Sequence, residues 1–283
     1  MIRFGRFRSI RRLLRRASNR DFPAPHFRRS SAFTLKLATY NIHSCIDTAW
    51  SLNMEKIAEV ISETGAEVVA LQEVDADRPR TACIYQAQWL ADRLGMDHLF
   101  FPVVRTGEEK YGLAVLSALP MEEVKFGRFP APEAKKPREL RGAMWVRLRT
   151  GRGAVNLVNT HLGLQMAERR RQVETLLGEN WLGGIAENEP TVFCGDFNAG
   201  RRSYVYRKVC ARLADVQRMN GSRKSPRATF FSFYPVLCLD HIFVSDHFSV
   251  MQVEVLSSKT ARRASDHLPV FVELALDAEG NRR

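Results

Sequence analysis

The stretch that decides the reading is VFCGDFNAG, residues 192–200. Val192, Phe193 and Cys194 form the end of an apolar run of the kind that fills a strand buried on both faces. The run then breaks into Gly195, Asp196, Phe197, Asn198, Ala199 and Gly200. Side chains alternate along an extended chain, so Asp196 and Asn198 share one face while Phe197 points the other way, into packing. The glycines let the backbone turn sharply where the strand ends. A carboxylate and an amide at the mouth of a buried strand are costly unless they are paired or bind a metal.

Outward from this stretch, apolar segments repeatedly end in an acid, an amide or a histidine. They are TYN at Asn41, LQE at Glu73, NTH at His161, LD at Asp240, and SDH at Asp266 and His267. One such residue is most simply a turn former, but six segments of this kind point to a shared cleft at strand ends, where scaffolds display chemistry. Carboxylate and amide oxygens without thiolates suit a hard cation, Mg²⁺ or Mn²⁺, which keeps waters and leaves room for phosphate oxygens. A further carboxylate can then act as general base on water, and an imidazole can donate a proton or stabilise charge. Phosphoester hydrolysis is the chemistry such a set implies.

The remaining pattern predicts one α/β domain over residues 34–276. TLKLATYNI reads as a strand, MEKIAEVISETG as a helix stopped by Gly65, EVVALQEV as a strand, and YQAQWLADRLG as a helix ending at Gly95. Five closely spaced strands follow between residues 98 and 162, with Gly151-Arg152-Gly153 as a hairpin turn. A helix fits Gln165 to Leu177, and a short one about Tyr204 to Leu213. LDHIFVS, SVMQVEVL and LPVFVEL close the chain as strands. Two packed sheets with outer helices account for all of this.

The chain has 283 residues and a formal charge of +12. Ten arginines against one aspartate lie in residues 1–35, so only about three of those positive charges belong to the rest. That weakens the nucleic-acid signal a basic protein normally gives. The segment MIRFGRFRSIRRLLRRASNR within residues 1–33 approximates an apolar stripe beside a basic face. Two readings stand: a helix on an anionic membrane or nucleic acid, and a disordered leader or unused upstream start. Residues 277–283 read as a short C-terminal tail. No apolar run approaches a membrane span. Five scattered cysteines without a CxxC pair fit a reducing, cytoplasmic compartment, with a peripheral membrane position if the tail binds lipid. A monomer is expected.

Taken together, TYNIH, ALQEVD, YGLAVLS, VNTHLG, CGDFNAG, LDHIFVS and SDHLPV resemble the endonuclease/exonuclease/phosphatase (DNase I-like) superfamily, in order, over about residues 34–276. The resemblance implies a four-layer α/β sandwich of two mixed, mostly antiparallel sheets. It implies Glu73 as the principal Mg²⁺ carboxylate, with Asn41 supporting the metal or phosphate and Asp266 near the metal. Asp196 would orient or deprotonate the attacking water, and Asn198 would hold the phosphate or the Asp196 carboxylate. Asp240 would pair with His267 and favour the imidazolium that stabilises the transition state. His161 in NTH is shared with DNase I, sphingomyelinases and inositol polyphosphate 5-phosphatases, and argues against an abasic-site nuclease. One- and two-metal schemes both remain open.

Other residues carry less. Arg141 lies at a strand start and could grip a phosphate bidentately. His241 should point opposite to Asp240, as a packing residue. The stretch SRKSPRATFFSFYP mixes basic and aromatic residues, which serve equally to stack bases, wall a lipid pocket or fill a core. The expected function is therefore a Mg²⁺-dependent phosphodiesterase acting on DNA, RNA or a phospholipid. A phosphomonoesterase on inositol-type phosphates and a non-catalytic binding module are the alternatives.

Overall fold

The computed structural model describes residues 33–130, 139–219 and 227–276. The amphipathic reading of residues 1–32 and the C-terminal tail at 277–283 lie outside them. In chain order the elements are β1 (Thr34–Asn41), α1 (Met54–Thr64), β2 (Val68–Ala76), α2 (Gln86–Leu94), β3 (Asp97–Thr106), β4 (Glu109–Ser117) and β5 (Met121–Arg128). Then come β6 (Gly142–Thr150), β7 (Gly153–His161), α3 (Met166–Leu177), β8 (Thr191–Asp196), α4 (Tyr204–Cys210), β9 (Ala214–Asp215) and α5 (Val216–Met219). The last four are β10 (Asp240–Val244), β11 (Phe248–Val255), α6 (Ala261–Ala264) and β12 (Val270–Leu276).

Two six-stranded sheets result, ordered β11-β12-β1-β2-β4-β3 and β5-β6-β7-β8-β10-β9. Each has one parallel pair at its centre, β1 with β2 and β7 with β8, and antiparallel neighbours elsewhere. A parallel pair needs a crossover, which α1 and α3 supply. Helix α1 buries Met54, Ile57, Ala58, Val60 and Ile61 along one stripe; the Asn53 side chain caps its first turn and Gly65, at φ 65°, ends it. Among the described residues no helix is long and apolar enough to cross a membrane.

Alternation along the strands divides the core in two. Inward-facing Met144, Val146, Leu148, Val155, Leu157, Val192, Cys194, Ile242 and Val244 join Leu35, Leu37 and the β2 and β4 side chains in one large cluster between the sheets. Outward-facing Val158, Phe193, Phe197 and Phe243 join Val173 and Leu176 of α3 and Tyr206 of α4 in a second. Phe197 thus packs away from the cleft, as the alternation requires. His241 does the same, its Nε2 2.9 Å from the Ala199 carbonyl.

The structure revises three expectations. Helix α4 stops at Cys210 rather than Leu213, because the chain turns to pair Ala214 and Asp215 with Val244 and Phe243. Glu73 lies within β2, not at its end. Asp240 and His267 stand at or just before the starts of β10 and β12. Those strands run antiparallel to β8 and β1, so their starts reach the same edge as the ends of β1, β7 and β8.

Candidate active site

The inward-facing row of each sheet ends in polar residues at this common edge. Register sets His161 beside Asp196 and Asp196 beside Asp240 across β7, β8 and β10. Asn41 ends the facing row of β1. A cavity of about 330 Å³ opens at this edge, its lining including Glu73, Arg141, His161, Asp196, Asn198, Asp266 and His267.

Asn41 joins the two sheets. Its Nδ2 donates to Glu73 Oε1 at 2.9 Å and to Asp196 Oδ2 at 3.0 Å, while its Oδ1 accepts the His43 N–H at 3.0 Å. The backbone donor fixes which end of the amide is oxygen. Asn41 therefore orients two carboxylates, one from each sheet, through its amide nitrogen. Glu73 reaches the cavity through a bulge: pairing of β2 with β4 slips between Leu71 and Val74, and Glu73 takes φ 58°. Bulges re-aim side chains beside functional sites, and a non-glycine residue in this region costs about 1–2 kcal/mol.

Asp196 is buried at the floor. Its Oδ1 accepts the Asn198 N–H at 2.8 Å, and its Oδ2 lies 3.4 Å from His161 Nε2 and 3.7 Å from His267 Nε2. Burial raises its pKa to about 7; His267 opposes that rise and Asp240 adds to it. Asn198, at φ 47°, also donates from Nδ2 to the Leu162 carbonyl at 2.9 Å. Gly195 is required by close approach rather than by a turn alone. It has φ 138°, and a Cβ there would lie 1.9 Å from the Thr160 oxygen on β7.

Their surroundings push the two histidines in opposite directions. His267 Nδ1 sits 2.8 Å from Asp240 Oδ2. Burial works against its charge, but Asp240 and then Asp196 outweigh that and raise its pKa to about 10. His161 is held well below the usual value by burial, then by Arg141 and His267. Arg141 Nη1 lies 2.9 Å from His161 Nδ1. An arginine only donates, so Nδ1 is the acceptor and the proton of a neutral His161 falls to Nε2, which faces Asp196 Oδ2 at 3.4 Å and the Asn198 amide nitrogen at 3.1 Å. The same Nη1 is 2.6 Å from Glu139 Oε1. Arg141 thus shares this one arm between His161 and Glu139.

Asp196, Asp240 and His267 bring ligand-type atoms within 4.8 Å of one another. Within this trio the His267 ring is held between carboxylates, Nδ1 against Asp240 Oδ2 at 2.8 Å and Nε2 3.7 Å from Asp196 Oδ2. Glu73 and Asp266 fit a cation better. Among the described residues Glu73 has one hydrogen-bond partner, Asn41. Asp266 is half-buried, and its Oδ1 accepts from Ser265 Oγ at 3.4 Å. Two carboxylates on an open cavity, with no thiolate lining it, match a hard divalent cation that keeps its waters.

Several residues escaped the sequence reading. Gln72 Nε2 donates to Thr39 Oγ1 at 3.0 Å and Asn159 Oδ1 at 2.8 Å, and Asn159 Nδ2 reaches the Leu71 and Ala114 carbonyls, a buried polar tie beneath the site. Both amides belong to the quoted LQE and NTH motifs, which was the available signal. Arg80 lines the cavity with its guanidinium bound by both oxygens of Asp75 at 2.8 and 2.9 Å. Phe230 packs its ring 4.8 Å from that of His267.

Known proteins are similar to this chain. YbhP of Escherichia coli strain K12, itself uncharacterized, is 29% identical over 260 residues, covering 86% of this chain and 97% of that protein. An endonuclease/exonuclease/phosphatase family protein from Bacteroides thetaiotaomicron superposes with a TM-score of 0.71 at 22% identity, covering 89% of this chain and 98% of that one. A mannosyl-6-phosphatase from Bacteroides thetaiotaomicron VPI-5482 superposes at 0.69 and 21% identity, covering 85% and 99%. Residues 38–267 match the sequence pattern of the Endonuclease/Exonuclease/phosphatase family. With that span matched, and two six-stranded sheets enclosing the cleft, the chain belongs to the endonuclease/exonuclease/phosphatase family of phosphoester hydrolases.

Proposed function

We propose that this protein is a divalent-metal-dependent phosphodiesterase in which Asp196 activates the attacking water. One observation carries the reading: a single buried oxygen, Asp196 Oδ2, has the Asn41 amide at 3.0 Å, His161 Nε2 at 3.4 Å and His267 Nε2 at 3.7 Å. A carboxylate raised to about 7 lies near the operating pH, where a general base works best.

In the reaction, water gives its proton to Asp196 as its oxygen bonds to phosphorus, and the P–O bond to the leaving group breaks, the electron pair departing on the leaving oxygen, which takes a proton from solvent. His267 donates from Nε2 to a non-bridging oxygen as negative charge grows there, and Asp240 keeps that ring charged and aligned. His161 offers a second, neutral N–H, its tautomer set by Arg141 and its position bounded by Asn198. Glu73 and Asp266 would hold Mg²⁺ or Mn²⁺, with Asn41 steadying Glu73. Bound there, the cation supplies charge neutralisation on the phosphate oxygens.

The test is hydrolysis of bis(p-nitrophenyl) phosphate by the purified chain with Mg²⁺, with Mn²⁺ and with chelator. Asp196→Asn keeps the shape and removes the base, so kcat should fall about a thousand-fold. Turnover that ignores chelator, or a fully active Asp196→Asn, overturns the mechanism. The similar fold of the mannosyl-6-phosphatase favours a second reading, a phosphomonoesterase built on the same groups. It would be preferred if p-nitrophenyl phosphate is turned over faster than the diester. A chain inert on both esters with either metal would be a binding module.

A further inference from the structure

We propose that the mouth of this site is a membrane-docking rim that presents phospholipid headgroups to it; the substrate claim rests on the phosphoester reading above. The rim begins at the catalytic cavity itself. Phe230, against His267, stacks at 3.9 Å on Phe231. Phe233 and Tyr234 follow in the same loop and stand 73% and 78% exposed. Arg262 ties this loop to the next, donating from Nη1 to the Phe233 carbonyl at 2.9 Å, while its own carbonyl accepts from Ser232 Oγ at 3.1 Å. The adjacent Arg263 carbonyl accepts the Thr48 N–H at 3.0 Å, which brings in the loop carrying Trp50. Trp50 is 82% exposed and meets His43, a cavity residue, edge-on at 6.0 Å. Leu164, another cavity-lining residue, is 72% exposed.

Aromatic side chains of this size each carry about 150–250 Å². Three of them mostly exposed reach the few hundred Å² at which an apolar patch marks an interaction site. Charge identifies the partner. The loop segments 48–53, 227–239 and 257–265 contain no aspartate or glutamate, but hold Arg227, Lys259, Arg262 and Arg263. Tryptophan and tyrosine at loop tips among cations fit the headgroup level of an anionic bilayer. Two features favour lipid over single-stranded nucleic acid. Val236 and Leu237 in the same loop are exposed and stack no base. Outside residues 1–35 the chain carries a small net charge, whereas polyphosphate binding rests on many cations.

The experiment sediments the full chain with vesicles of phosphatidylcholine alone and of phosphatidylcholine mixed equally with phosphatidylglycerol. In parallel it follows release of the phosphatidylglycerol headgroup and turnover of bis(p-nitrophenyl) phosphate. The triple variant Trp50→Ser, Phe233→Ser, Tyr234→Ser should partition into mixed vesicles about ten-fold less and lose headgroup release in proportion. Its soluble-diester turnover should stay within about two-fold, because general-base chemistry on a small ester uses only the cavity. Arg263→Glu should weaken binding to mixed vesicles but not to phosphatidylcholine alone. Unchanged vesicle binding in the triple variant overturns the rim, as does a loss of single-stranded DNA binding in place of vesicle binding. Rim-dependent binding without headgroup release, in a chain active on the diester, overturns the lipid substrate. Glu73→Gln separates the two readings: it should bind vesicles normally and hydrolyse nothing. A wild-type chain that binds through the rim yet hydrolyses neither ester overturns the phosphoester chemistry and leaves the surface standing.

Discussion

Removing the Asp240 carboxylate while keeping its shape tests how one buried acid sets the charge of its neighbour. His267 is raised to about 10 although burial opposes it, because Asp240 and Asp196 favour the imidazolium. A group with a raised pKa keeps its charge below that value and loses it as pH climbs through it. Activity that needs charged His267 should therefore decline only as pH rises through about 10. In Asp240→Asn burial gains the upper hand, and the falling limb of the kcat–pH profile should move down by about one to two units. A limb that stays near 10 in the variant would assign the charge to another group. His161 has a similar buried setting and the opposite outcome, because its Nδ1 faces a guanidinium rather than a carboxylate. Nothing in NTH or SDH distinguishes these environments; the difference arises from a residue 20 positions away in one case and 27 in the other.

At the scale of elements, the pairing of β7 with β8 aligns His161 with Asp196, and Gly195 permits it. Gly195→Ala meets the Thr160 oxygen and a φ of 138° at once. The substitution should cost about 2–4 kcal/mol, measured by urea denaturation, and should lower activity more than stability alone explains. Retained stability would mean that the strands part without penalty. The sequence suggested a glycine for turning; the parallel neighbour supplied the stronger reason. Strand β2 teaches the converse. LQEV reads as an unbroken run, and its bulge depends on how β4 pairs with it, which local pattern does not encode.

Across the whole molecule, the two sheets are held in relative position by the Gln72–Asn159 tie as well as by apolar packing. Asn159→Ala leaves the Leu71 and Ala114 carbonyls and the Gln72 amide without that partner in a buried setting. It should destabilise the fold by about 2–4 kcal/mol. Because Asn41, Glu73 and Asp196 meet across the same gap, KM or kcat should also change, which steady-state kinetics on the soluble diester would detect. A variant as stable and active as wild type would mean that the apolar layer alone registers the sheets.

The sequence by itself determined most of the strand and helix order, the inward and outward faces of the strands, and which polar residues belong to the site set. The faces follow from local periodicity along each strand, while Asn198 beyond β8 takes φ 47° and is placed by its contact with Asp196. Tertiary structure alone decided that β10 and β12 return with their starts at the site edge. It also turned Glu73 inward through a bulge, gave Asn41 to two carboxylates from opposite sheets, and pushed the two histidines in opposite directions. Each of these is a relation between residues distant in the chain, and hydrogen bonding and burial fix such relations only once the sheets have closed.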